Sequence, residues 1–167
     1  MLLAGGFKIA VERGRHERAE GLRQGIADDG YGPVASQGQQ RERHLLVHRP
    51  DGFGVYSGDD EMTLPLLALG GDGAVSVVSN ALPEPFCALV AAALDGDLET
   101  AREQHEELLP AMRACFLETN PIPIKDICAA LGWMEPHVRL PLVAMEERSP
   151  VRQRVLSAFD DLLDVTM

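Results

Sequence analysis

Few residues in this chain could carry out covalent or metal chemistry. Lys8 and Lys125 are the only lysines, and an amine that forms an imine with a carbonyl compound needs a desolvated pocket that lowers its pKa. His44 and His48 are four residues apart and could share a helix face, but no further residue nearby completes a tetrahedral ligand set. We interpret them as part of an exposed basic segment and predict no metal site. His105 lies on an apolar helical stripe and is predicted to be a partly buried structural residue.

One stretch, residues 53–80, is organised as a strand, a helix and a second strand. Phe53–Ser57 is a short apolar run that Gly58 breaks, and Asp59 or Asp60 can then cap a helix because a carboxylate accepts orphan N–H groups of the first turn. Gly70-Gly71 is expected to end that helix, and Val75–Val78 is an apolar run too short to be helical. This pattern predicts two parallel strands joined by a crossover helix.

The rest of the chain is predicted to be helical, so that the protein is mostly α by content. Helix ends are marked by local signals such as proline in a first turn and glycine after a last turn. The predicted helices are Pro83–Leu94, a helix of about Leu98 to Leu117 capped by Asp97, a helix that starts at Asn120-Pro121 and stops at Gly132, and a last helix with Ser149 as its cap that runs to about Leu163.

Several motifs, in order, resemble the dihydrodipicolinate synthase and N-acetylneuraminate lyase family of class I pyruvate-dependent aldolases and lyases. The resemblance covers about Asp51 to the C-terminus, which corresponds to the C-terminal two-fifths of the family's chain. No single motif is decisive, but their ordered combination is specific. The motifs are Ser57-Gly58-Asp59-Asp60, Gly70-Gly71-Asp72-Gly73-Ala74-Val75-Ser76-Val77, Asn80, Asn120-Pro121-Ile122-Pro123-Ile124-Lys125 and Arg139-Leu140-Pro141-Leu142.

The resemblance implies an α/β fold, namely the last two parallel strands of a (β/α)8 TIM barrel and their helices, followed by the family's C-terminal helices. Active sites of such barrels lie at the C-terminal ends of the strands, and the resemblance implies that Gly58 and Val75 lie beside bound pyruvate. Alternatively, Gly58 is an ordinary strand-to-helix turn residue and Val75, which replaces the family's usual Ile, belongs to the barrel core. The resemblance places Lys125 in the helical tail, away from the barrel mouth.

Residues 1–50 differ from the remainder in composition. They hold eight Lys and Arg against six Asp and Glu, whereas the whole chain of 167 residues has a net charge of −11. The strong acidity of the remainder argues against a nucleic-acid partner. No apolar run is long enough to span a membrane, and three widely spaced cysteines suggest free thiols in a reducing compartment. We therefore expect a cytoplasmic protein with residues 1–50 poorly ordered and residues 51–167 forming the barrel portion and helical tail.

The family's reaction condenses pyruvate with an aldehyde through a lysine imine; in dihydrodipicolinate synthases the aldehyde is aspartate semialdehyde and the pathway is lysine biosynthesis. The resemblance implies pyruvate as ligand, no cofactor and a family that is usually homo-oligomeric. However, the sequence shows no segment like the family's Schiff-base lysine strand or its Tyr-Tyr-Asn segment. We therefore assign no catalytic residue and expect a truncated member that is inactive alone. The alternatives are a non-catalytic helical remnant that binds another subunit and, within the family, a sugar-acid aldolase or lyase.

The missing lysine strand can be found in another reading frame. Residues 36–46 can be encoded by permitted codons which, read one nucleotide later, give Val-Lys-Asp-Ser-Ser-Gly-Asn-Val-Thr-Ser-Ser. This matches the family's V-K-[DE]-[ST]-S-G-[ND] pattern. We therefore interpret part or all of residues 1–50 as an out-of-frame translation, with the frame restored near Asp51; the alternative is an unrelated natural extension.

The DNA sequence tests this interpretation directly. We expect the codons of residues 36–46, read one nucleotide later, to encode the lysine strand, and the same shifted frame to continue upstream into further barrel segments. Sequencing the gene from an independent isolate is the measurement. A shifted frame that encodes stop codons or no lysine would contradict the interpretation.

Overall fold

The computed structural model describes Leu46 and residues 48–163. The predictions for residues 1–45, which include His44 and most of the shifted-frame segment, lie outside the described residues. The described elements, in chain order, are β1 (Tyr56–Ser57), α1 (Thr63–Ala68), β2 (Gly73–Ala74), a 3-10 turn (Val78–Asn80), α2 (Pro83–Asp95), α3 (Leu98–Ala114), α4 (Ile122–Ala130) and α5 (Pro150–Leu163). The described part is therefore mostly helical, as the sequence pattern predicts.

The two strands form a parallel pair that is joined by α1. Tyr56 pairs with Gly73 and Ser57 with Ala74. Main-chain hydrogen bonds continue the pairing beyond the strands, since the Asp72 amide donates to the Val55 carbonyl at 2.8 Å and the Val75 amide donates to the Ser57 carbonyl at 2.7 Å. The predicted βαβ unit is therefore confirmed.

The predicted position of the second strand, Val75–Val78, is wrong. The strand is Gly73–Ala74 and the chain turns into the 3-10 turn at Val78. The reason is a side chain from elsewhere: the amides of Val77 and Val78 donate to the carboxylate of Asp60 rather than to a strand. The apolar run Val75–Val78 thus ends in a turn because the main-chain amides of Val77 and Val78 have a stronger, charged acceptor in Asp60.

Helix α1 ends as predicted but begins differently. Its last turn is closed by two glycines: the Gly70 amide donates to the Leu67 carbonyl and the Gly71 amide to the Leu66 carbonyl, both at 2.9 Å, and Gly70 has a left-handed φ of 95°. This is the bonding pattern of a Schellman motif. The residue at the helix N-cap is Met62, with no side-chain cap, so the prediction that Asp59 or Asp60 caps this helix is wrong. The Asp59 carboxylate instead accepts the Glu61 amide at 3.0 Å.

The main core lies between the helices. Helix α2 packs along α3, and α3 also contacts α5. Asp97 caps α3 by accepting the Thr100 amide at 3.1 Å, and Ser149 caps α5 by accepting the Val151 amide at 3.2 Å; both caps are as predicted. Large side chains that are at most 1% exposed fill the space between these helices: Phe86, Leu89, Val90, Leu108, Met112, Val155 and Phe159.

The C-terminal helices are held by polar contacts as well. The Nε of Arg152 on α5 lies 3.0 Å from Oδ1 and 2.8 Å from Oδ2 of Asp126 on α4, and Asp126 is only 5% exposed. Lys125 Nζ donates to the His137 carbonyl at 2.7 Å. This hydrogen bond connects the irregular segment 131–149 to α4. None of the helices in the described part of the chain is long and apolar enough to cross a membrane.

Replacing Phe159 by alanine should destabilise the helical core strongly. The side chain is fully buried, and deleting a buried aromatic ring typically costs about 3–5 kcal/mol of unfolding free energy because a cavity remains. Chemical denaturation followed by circular dichroism measures the change. Phe116→Ala is the matched control, because Phe116 is 48% exposed and its loss should cost less than about 1 kcal/mol. Equal costs for the two variants would contradict this description of the core.

Candidate functional site

Gly58 and Val75 lie side by side where the two strands end. Each directly follows a paired residue, Ser57 or Ala74, and the Val75 amide donates to the Ser57 carbonyl at 2.7 Å. The space beside Gly58 is open, because a side-chain carbon placed on it would meet no atom within 4 Å. The structure therefore brings together the two residues that are predicted to bind substrate, and it leaves room for a ligand at Gly58.

The two faces of the strand pair differ sharply in exposure. Ser57 and Ala74 point to the helical side and are 5% and 4% exposed, whereas Tyr56 and Val75 are 48% and 43% exposed. Side chains alternate between faces along a strand, so Tyr56, Gly58 and Val75 share the open face. A residue on this face can contact a ligand or belong to the core of a closed barrel, so the exposure of Val75 is compatible with both interpretations.

Asp60 is the residue that fixes the geometry of the strand ends. It is 1% exposed, and its carboxylate accepts the Val78 amide at 2.8 Å and the Val77 amide at 3.1 Å. It also has a hydrogen bond with the Ser76 side chain. The loop after β1 is thereby tied to the loop after β2, and this fixes Val75 relative to Gly58.

Burial determines the protonation behaviour of Asp60. Desolvation raises its pKa above 3.8, and the nearby charge of Asp59 adds to this effect, whereas the hydrogen bonds from Ser76, Val78 and Val77 act in the opposite direction. Sequence reasoning missed the role of Asp60, because its partners lie 17 and 18 residues away. The only local indication is that Asp59 and Asp60 are adjacent. A helix cap uses one aspartate, so the other could have a different partner.

A second polar anchor lies before the strands, at the end of the pair opposite Gly58 and Val75. Arg49 forms an ion pair with Asp72, and Arg49 Nη2 also donates to the Gly70 carbonyl at 3.3 Å. Oδ2 of Asp72 accepts the Val55 amide at 2.8 Å. These contacts fix the start of the strands and bring no reactive group to the other end, so we interpret the anchor as structural.

The other candidate reactive groups lie on the helices. Burial raises the pKa of the Cys115 and Cys128 thiols, which disfavours the nucleophilic thiolate. Burial lowers the pKa of His105, with Glu61 and Glu106 acting against this change. Within the described ranges no group of three His, Cys, Asp or Glu residues is arranged to hold a metal ion. The strand ends thus offer an open apolar and main-chain surface suited to binding.

The stability contribution of Asp60 should depend on pH in a definite direction. Because its pKa is raised in the folded state, the folded chain keeps a proton at pH values just above 3.8 that the unfolded chain has lost. Stability from this group therefore falls as pH rises from about 4 through the folded-state pKa. The Asp60→Asn variant lacks this pH-dependent contribution. The difference in unfolding free energy, wild type minus variant, should therefore decrease as pH rises from about 4 through the folded-state pKa of Asp60.

Denaturant titrations at a series of pH values measure this difference. Leu66→Ala is the control, because it removes a buried side chain of α1 without removing a carboxylate, and its difference from wild type should not change with pH. A difference between wild type and Asp60→Asn that grows with pH would show that the pKa of Asp60 is shifted the other way.

Comparison with known proteins agrees with this architecture. The chain is 85% identical over 123 residues to the 4-hydroxy-tetrahydrodipicolinate synthase of Salinibacter ruber, a match that covers 74% of this chain and 41% of that enzyme. Its fold is similar to the dihydrodipicolinate synthase of Aquifex aeolicus (TM-score 0.72, 35% identity, 78% of this chain and 44% of the other). It is also similar to the chloride-inhibited enzyme of Acinetobacter baumannii in complex with pyruvate (TM-score 0.69, 31% identity, 73% and 41%).

These similarities confirm the predicted fold class. The chain spans about two-fifths of the length of these relatives, and its two parallel strands and helices correspond to part of a TIM barrel. The model of the dihydrodipicolinate synthetase family matches residues 35–158. The chain therefore belongs to the dihydrodipicolinate synthetase family.

Proposed function

We propose that the ends of β1 and β2 form part of the pyruvate site of a cytoplasmic dihydrodipicolinate synthase barrel, with Gly58 and Val75 beside the ligand. The observation that supports this most is their placement: they are adjacent, at the carboxyl ends of two parallel strands, on the open face. A small planar ligand can approach the main chain closely at Gly58, where no side chain intervenes. The A. baumannii relative is in complex with pyruvate, which supports the choice of ligand.

The proposed reaction of the complete barrel is the condensation of pyruvate with aspartate semialdehyde. A lysine amine adds to the pyruvate carbonyl and water leaves, giving an imine whose enamine form attacks the aldehyde. The S. ruber relative, 85% identical to this chain over 123 residues, is a 4-hydroxy-tetrahydrodipicolinate synthase, and this favours aspartate semialdehyde over a sugar acid.

The chain as translated does not supply that lysine, so we propose that it is inactive alone. Lys125 serves a structural purpose, because its Nζ is bonded to the His137 carbonyl on an exposed part of α4. A Schiff-base lysine instead needs a desolvated pocket that lowers its pKa. Lys8, the other lysine, lies outside the described residues.

Trapping with borohydride tests this proposal. If the full chain is incubated with pyruvate and borohydride, the hydride would reduce any imine to a stable secondary amine on the lysine. We expect intact-mass spectrometry to show no adduct on this chain, whereas the complete S. ruber enzyme, treated in parallel, should be modified. An adduct on Lys125 would overturn the proposed inactivity.

The ligand site itself is tested in the S. ruber enzyme, at the positions that match Gly58 and Val75. A valine in place of the matching glycine fills the space beside the strand end and should raise the pyruvate KM by about tenfold or more. The control is a lysine at the position that matches Ala91, which is exposed on α2, and it should leave the KM unchanged. An unchanged KM in the glycine variant would contradict the proposed site.

A further inference from the structure

The turn around Gly58 is closed by hydrogen bonds within its own segment. The Ser57 hydroxyl donates to the Asp59 carbonyl at 2.7 Å, and the Thr63 hydroxyl donates to the same carbonyl at 3.1 Å. Thr63 is fully buried, so water does not compete for its bond. The loop after β1 is therefore fixed by residues of its own segment.

The loop after β2, which begins at Val75, depends on the other loop instead. The amides of Val77 and Val78 donate to Oδ2 of Asp60 at 3.1 and 2.8 Å, and the Ser76 side chain is also hydrogen-bonded to this carboxyl group. Asp60 and Ser76 are 1% and 4% exposed, so a lost bond would leave a buried donor without a partner. The position of this loop therefore depends on Asp60.

Hydrogen bonds between the two loops lie on both sides of the proposed ligand contacts. On one side the Val75 amide donates to the Ser57 carbonyl at 2.7 Å, and on the other side are the bonds to Asp60. A ligand that touches both Gly58 and Val75 needs these loops at a fixed separation, and a displacement of about 1 Å can cost about 100-fold in rate. The separation on the open face thus depends on a side chain that is itself buried.

We propose that Asp60 is a positioning residue for pyruvate, which holds Val75 at the distance from Gly58 that the ligand requires. The inference rests on the proposed function, since it assigns the ligand contacts to Gly58 and Val75. The burial of Asp60 supports an indirect role, because a side chain that is 1% exposed and bonded to main-chain amides of the neighbouring loop acts on a ligand through that loop.

Kinetics of the complete S. ruber enzyme test the inference. An alanine at the position that matches Asp60 removes every acceptor for the two amides. It should raise the pyruvate KM by about tenfold or more and lower kcat much less, because the lost interaction serves binding rather than chemistry. An asparagine there should largely preserve the KM, because a single oxygen already accepts both amides and the carboxamide keeps one. An unchanged KM in the alanine variant, or an equal rise in both variants, overturns the inference.

An alanine at the position that matches Leu66 separates positioning from loss of stability. Leu66 is 2% exposed on α1, so its truncation opens a cavity but breaks no bond between the loops. This control should lower the unfolding temperature and leave the pyruvate KM unchanged; a rise equal to that of the Asp60 alanine variant overturns the inference. If that alanine variant does not fold, an alanine at the position of Ser76 removes one bond to the carboxyl group and should raise the KM by about twofold or more. An unchanged KM then overturns the inference.

The glycine variant used to test the pyruvate site separates this inference from the proposed function. A KM that rises in both the glycine variant and the Asp60 alanine variant supports both conclusions. A KM that rises in the glycine variant alone leaves the pyruvate site standing and overturns the positioning role. A KM that rises in the alanine variant alone, or in neither, contradicts a ligand beside Gly58 and with it any role that Asp60 has through that contact.

Discussion

The carboxylate of Asp60 is the interaction on which the arrangement of the strand ends depends. A parallel pair of two-residue strands has few ladder hydrogen bonds. The connecting helix α1 has only six residues, so it adds few contacts that could fix the register of β1 against β2. The buried carboxylate adds acceptors for the Val77 and Val78 amides. Because these bonds are made away from water, they are stronger than the same bonds on the surface, and they fix the turn that follows β2.

The helical part of the chain has a different basis for its stability. Its core is formed by apolar residues of α2, α3 and α5 that exclude water from each other, and its ends are closed by local caps. The strand pair contributes only one covered face to this core, through Ala74. The chain thus combines a packed helical layer with a barrel portion whose inner face is open.

Features that depend on neighbouring residues could be predicted from the sequence, and features that depend on distant ones could not. Asp97, Ser149 and Gly70-Gly71 mark helix ends through bonds to residues two to five positions away, and these predictions are confirmed. The second strand was misplaced because the donors of Val77 and Val78 are taken by Asp60, 17 and 18 residues earlier. The predicted helix from Leu98 to Leu117 ends at Ala114, because the chain tightens there into i→i+3 bonds.

The candidate site was predicted in part. The family motifs single out Gly58 and Val75, and the parallel pairing brings them together. The exposure of Val75 could not be predicted, because an apolar run gives no sign of which face lacks a covering layer. Asp60 was found only in the structure, since nothing in the residues around it distinguishes a capping acid from one that reaches across to another loop.

Asp60 couples the motion of the loop after β1 to that of the loop after β2. Since one buried side chain holds the loop after each strand, neither loop can shift by itself without breaking bonds to a group that has no water to replace them. The loops that follow β1 and β2 should therefore move together as one body. A molecule that displaces either loop should also displace the other.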